Sequence, residues 1–60
     1  MMRIELEFGD GERLALDYVE SVRLVRFDSV EVKCFGNESV VHRNVVAAVT
    51  RWAWGKEAQQ

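Results

Sequence analysis

The chain has no proline, one cysteine and one histidine among its 60 residues, and each shortage closes a route. With Cys34 alone, no intramolecular disulfide can staple so small a fold. Cys34 and His42 offer two ligands where a structural zinc site takes four, and no cofactor is expected. Gly9-Asp10-Gly11 is glycine-rich, but no helix carrying Lys-Ser/Thr follows it, so it is not a phosphate loop. The longest strictly apolar run, Val45 to Val49, is far below the roughly 20 residues that span a bilayer. No membrane association is expected. The start Met1-Met2-Arg3-Ile4-Glu5 has no apolar leader core, which with a lone thiol gives the expectation of a reducing, cytoplasmic setting.

A chain of this length is one domain at most, and such a domain buries only about 60% of the surface that its unfolded chain exposes. With disulfide and zinc removed, self-association is the remaining ordinary source of stability, a homodimer being one form. Net charge is only −2, too weak a field to favour nucleic acid or anionic membrane. The charge is unevenly spread. Residues 1–20 carry Glu5, Glu7, Asp10, Glu12, Asp17 and Glu20 against Arg3 and Arg13, whereas residues 21–60 have an excess of bases.

Ile4, Leu6 and Phe8 alternate with Arg3, Glu5 and Glu7, the period-two pattern of a half-buried strand. Gly9-Asp10-Gly11-Glu12 supplies a tight hairpin turn. The next strand places Leu14, Leu16 and Tyr18 on one face, with Arg13, Ala15 and Asp17 on the other. Two further strands are read at about 22–27 and 30–35. In the first, the adjacent apolar pair Leu24-Val25 predicts a bulge or a switch of face. In the second, Val30, Val32 and Cys34 share a face.

Beyond residue 36 the pattern changes. Val41, Val45, Ala48, Val49 and Trp52 fall at the i, i+4, i+7, i+8, i+11 spacing of an amphipathic helix. Asn37 or Ser39 suits its N-cap, Gly55 its C′ position, and Arg51 and Lys56 its negative end. The fold class expected is therefore α+β: a small antiparallel sheet of three to four strands (about 3–8, 13–19, 22–27 and 30–35) packed by one C-terminal helix over about 38–54. A frayed tail at 56–60 follows. Several valines between 40 and 49 count against the helix. Ala47, Ala48 and the lack of proline count for it.

Little here points to catalysis. His42 lies at the helix boundary, and Cys34 could reach it only across a turn. A Cys-His nucleophile pair needs burial, an orienting third group and a cleft. Glu5 and Glu7 share a strand face, but nothing apolar beside them separates their acidities for acid/base work. The chain reads as a non-enzyme.

The function expected is that of a protein-interaction module, regulatory or inhibitory, acting by docking to a partner protein. On the helical wheel Trp52 faces the core, while Trp54, turned about 200° from it, either lies outward with Arg43, Ala47 and Arg51 or, where the helix ends near Trp52, folds back to cap the core. Tryptophan among arginine and small residues is the composition of a binding hot spot. A second contact surface is the acidic hairpin with Glu5, Glu7 and Asp17. Small acidic proteins without motifs are frequent products of phages and mobile elements, and the expected layout resembles small sheet-plus-helix inhibitors such as some anti-CRISPR proteins.

A second class follows if residues 40–49 are strand. Val40-Val41-His42-Arg43-Asn44-Val45 then resembles the second signature of Sm-like and Hfq-like RNA-binding barrels, and Phe27-Asp28 with Val30 and Val32 is faintly similar to the first. The resemblance implies that His42, Arg43 and Asn44 face RNA. The glycine of that family's second strand is missing in Leu14-Ala15-Leu16-Asp17. Four strands and a C-terminal helix also resemble single-strand DNA-binding coactivator domains. Those need a basic, aromatic sheet face, whereas Arg23, Arg26, Glu31 and Lys33 mix both signs.

Overall fold

A computed structural model describes residues 1–52; Trp54 and the tail at 56–60 lie outside them. Five strands form one antiparallel sheet: β1 (Met2–Phe8), β2 (Arg13–Arg26), β3 (Ser29–Cys34), β4 (Val40–His42) and β5 (Val45–Trp52). Their order across the sheet is β4-β3-β2-β1-β5.

The first hairpin forms as its alternation predicts. Leu6 pairs with Leu14 and Ile4 with Leu16 on one face, and Glu5 with Ala15 and Glu7 with Arg13 on the other. At its turn Gly11 takes φ 91°, a conformation that glycine reaches without steric cost. The Glu12 amide donates to Asp10 Oδ1, and the Phe8 amide to the Glu12 carbonyl.

The segments expected at 13–19 and 22–27 are one strand of 14 residues with a kink. Tyr18 sits at φ 57°, in the left-handed region that non-glycine residues rarely occupy. The alternation breaks there. Val19 turns into the core at 3% exposure, while Tyr18, expected on the face of Leu14 and Leu16, is exposed. Arg13 to Leu16 pair with β1 and Ser21 to Arg26 with β3, while Val19 pairs with Met2 on one side and Cys34 on the other, with register shifts flanking the change. A second shift, between Leu24 and Arg26, is the bulge that Leu24-Val25 predicts.

The expected C-terminal helix is absent from the described residues, and the fold there is all-β rather than α+β. Val40, Val41, Val45, Val46, Val49 and Thr50 are β-branched, which costs side-chain freedom in a helix and suits a pleated surface. Asn44 at φ 62° interrupts the run, so His42 ends β4 and Val45 begins β5. The open edge of β1 then takes β5 along its length, from Phe8 opposite Val45 to Met2 opposite Trp52. A run of Val and Ala satisfies helical and extended spacing alike, and the available strand edge decides between them. Trp52, expected in the core, stands on an edge strand and is 62% exposed.

Ile4, Leu6, Val19, Val30, Val32 and Val45 form the buried core, with Met2, Phe8, Leu14, Leu16, Val22 and Cys34 packed around it. The sheet curls about this cluster, bringing the Phe8 ring of β1 to 6.5 Å from the His42 ring of β4. Replacing Leu6 with Ala is expected to cost about 2–5 kcal/mol, against less than about 0.5 kcal/mol for Leu24→Ala at an exposed position. Urea unfolding followed by far-UV circular dichroism measures both.

Candidate functional site: the outer face of the sheet

Cross-strand partners share a face, so the registers assign the convex side of β2, β1 and β5. Arg3, Glu5 and Glu7 of β1 lie there, flanked by Arg13 and Ala15 of β2 and by Ala47, Val49 and Arg51 of β5, and Asp17 of β2 joins them through its ion pair with Arg3. The small side chains of Ala15 and Ala47 leave a shallow groove of about 380 Å³ between them, bordered by Glu5, Glu7, Arg13 and Val49.

The charges on this face interlock. Arg3 Nη1 is 3.5 Å from Asp17 Oδ1, Arg3 Nε is 3.8 Å from Glu5 Oε2, and Arg51 Nε is 3.7 Å from Glu5 Oε1. Arg3 and Arg51 stand directly opposite each other, and Glu5 interacts with both. Its carboxylate offsets a like-charge pair that would otherwise be unfavourable. Arg3 Nε is covered by its neighbours and makes no hydrogen bond among the described residues, so the guanidinium is held by charge more than by directed bonds. Glu7 lies opposite Arg13, and the strands place the two at the mouth of the groove.

Five of the seven residues expected to bind a partner thus meet on one surface: Glu5, Glu7, Asp17, Ala47 and Arg51. The sequence alone implies two separate surfaces, and strand pairing merges them. Arg43 is elsewhere, in the link between β4 and β5, where it borders a second hollow of about 560 Å³ with Val25, Arg26, Asp28, Ser29 and Val41. Trp54 lies outside the described residues. Sequence reading misses Arg3, Arg13, Ala15 and Val49 as members of the face. The alternation in β1 and β2 already puts the first three there, whereas Val49 reads as part of a helix.

The Cys34–His42 approach does not form. His42 pairs with Val30, four residues along β3 from Cys34, which is about 13 Å at strand rise. Among the described residues no three His, Cys, Asp or Glu side chains are grouped to hold a metal ion, and no helix is long and apolar enough to cross a membrane. Comparison with known proteins returned no match to a family model, a curated protein or a solved structure.

The ion pairs on the face are about half exposed, where such contacts contribute roughly 0.2–1 kcal/mol. A double-mutant cycle on Glu5→Gln and Arg51→Gln should return a coupling in that range, falling as salt is raised. A coupling several times larger would mean that the face is a rigid part of the fold and not an adaptable surface.

Proposed function

We propose that this chain is a small non-catalytic interaction module, regulatory or inhibitory in role, that docks a partner protein on the outer face of β2, β1 and β5 in a cytoplasmic setting. The observation carrying this reading is the gathering of Glu5, Glu7, Asp17, Ala47 and Arg51 on one face, where Glu5, Glu7 and Ala47 border a groove and Asp17 and Arg51 join them through ion pairs with Arg3 and Glu5. Alternating charges around a floor of alanine suit a partner with the opposite charge order, since electrostatic complementarity sets specificity and encounter more than affinity. The low net charge fits such local matching better than mimicry of a phosphate backbone. The likeness to sheet-plus-helix inhibitors lends no support, because it requires the helix.

The test is affinity capture from a lysate of the cell that encodes the chain, comparing wild type with Glu7→Arg and Arg51→Glu. A partner retained by wild type and reduced at least tenfold by both variants supports the face. Equal retention by all three removes it from consideration.

Nucleic-acid binding in the manner of Sm-like barrels gains from two observations. Residues 40–42 and 45–52 are strands, which is the condition on which that resemblance depends. In addition, Arg26 and Arg43 border one hollow, and Phe27, next in sequence to Arg26, is 93% exposed. Exposed aromatics beside arginine suit base stacking. Of the three residues that the resemblance implies, Arg43 and Asn44 are exposed, whereas His42 is half-buried with its ring near Phe8. On this reading the Arg26→Ala/Arg43→Ala variant binds a labelled single-stranded RNA more weakly in fluorescence anisotropy, and its log–log salt slope falls by about 0.7 for each phosphate that the variant no longer neutralises. No binding by wild type at low salt would rule it out.

A further inference from the structure

Charge alternates along one diagonal of the outer face. Arg13 of β2 stands opposite Glu7, and Arg51 of β5 stands opposite Arg3, so Glu5 and Glu7 of β1 lie between a cation on either side. Both acids keep unused acceptor capacity. Glu7 and Arg13 form no ion pair with each other, and neither side chain has one elsewhere among the described residues. Glu5 meets Arg3 and Arg51 at 3.8 and 3.7 Å, beyond the limit of about 3.2 Å for a directed hydrogen bond. A closer donor has room at both carboxylates.

We propose, on the docking reading of this face, that the occupant of its groove is a lysine side chain of the partner, carried by an extended segment in which an acidic residue stands two positions to either side of the lysine. Glu5 and Glu7 share one strand face about 7 Å apart, so a single ammonium can donate to the two together. Its methylene stem lies on Ala15, Ala47 and Val49, the small and apolar part of the groove, as long cationic side chains do on apolar surface. Lysine suits this place better than arginine. Its ammonium is a compact charge with three donors, whereas the guanidinium fork matches one carboxylate at a time.

The flanking acids follow from spacing. Arg13 and Arg51 are separated by two strand spacings and by four residues along β1, which is about 16 Å between Cα atoms. An extended segment of five residues spans about 13 Å, and the carboxylate and guanidinium side chains cover the remainder. Centred over Glu5, such a segment sets acid on Arg13, lysine on the glutamates and acid on Arg51. The opposite order of signs would bring like charges together at all three points, which excludes it as a partner.

The test titrates the purified chain with the peptide acetyl-Glu-Ala-Lys-Ala-Glu-amide up to about 10 mM, which reaches millimolar affinities, and follows amide shifts in a nitrogen–proton correlation spectrum. Shifts should concentrate at Glu5, Glu7, Ala15 and Ala47. The same peptide with Nε-acetyl-lysine, or with glutamine for both glutamates, should bind at least threefold more weakly, and so should the original peptide to Glu7→Gln, whose remaining spectrum reports an intact fold. No shifts on this face, equal binding by either altered peptide, or unchanged affinity of Glu7→Gln would each overturn the proposal. Shifts on the face that ignore lysine acetylation would overturn the lysine and leave the docking reading standing, which the capture from lysate decides separately.

Discussion

The link between β4 and β5 constrains the whole fold. These strands are the two ends of a five-stranded sheet, and only Arg43 and Asn44 join them. Flat, such a sheet would separate its edge strands by four spacings, about 19 Å, whereas the backbone from His42 to Val45 reaches about 11 Å when extended. The sheet therefore has to curl until its edges meet at that corner. Asn44 makes the turn in the left-handed region at φ 62°, which asparagine tolerates better than most residues. Its carbonyl accepts the Gly9 amide, and the Val45 amide donates to the Asp28 carbonyl, both at 2.9 Å. Three turns of the chain are thus tied at one end of the molecule.

The kink at Tyr18 serves the same curvature from the other side. A strand of 14 residues running straight through the sheet would carry β1 and β3 away from a common centre. Reversing the local twist at one residue lets its two halves face one core. The result is a concave face that closes at the β4–β5 corner. A small buried cluster coexists with exposed Leu24, Phe27, Phe35, Val46 and Trp52. Side chains near the tied corner, such as Val45 and Val30, are covered.

The first two strands, their turn, the bulge at Leu24-Val25 and the shared face of Val30, Val32 and Cys34 are legible in the sequence because one face of each strand is apolar and the other polar. That signal is local. What decides residues 40–52 is not. Val45-Val46-Ala47-Ala48-Val49 has no polar residue to mark a period, and Gly36, Asn37 and Ser39 make a turn as readily as a cap. Whether this run is helix or strand depends on the unpaired edge of β1, formed by residues more than thirty positions earlier. Tyr18 departs from its expected face for a related reason: its backbone conformation answers to the curl of the sheet and has no signature in a stretch that otherwise alternates cleanly.

The correction at β5 changes the functional argument more than the fold argument. As a helix, residues 43–54 would have carried their own contact surface, separate from the acidic hairpin. As a strand, β5 adds Ala47, Val49 and Arg51 to the face of Glu5 and Glu7 and supplies a further cation to the acidic strand. Charge asymmetry between the two parts of the sequence, which alone suggests an encounter field, is consumed inside the molecule by Arg51 on Glu5 and Lys33 on Glu20. What remains at the surface is a short-range pattern of alternating sign. A surface of that kind distinguishes partners by register and shape at contact, and gives little attraction beyond a Debye length of about 8 Å at physiological salt.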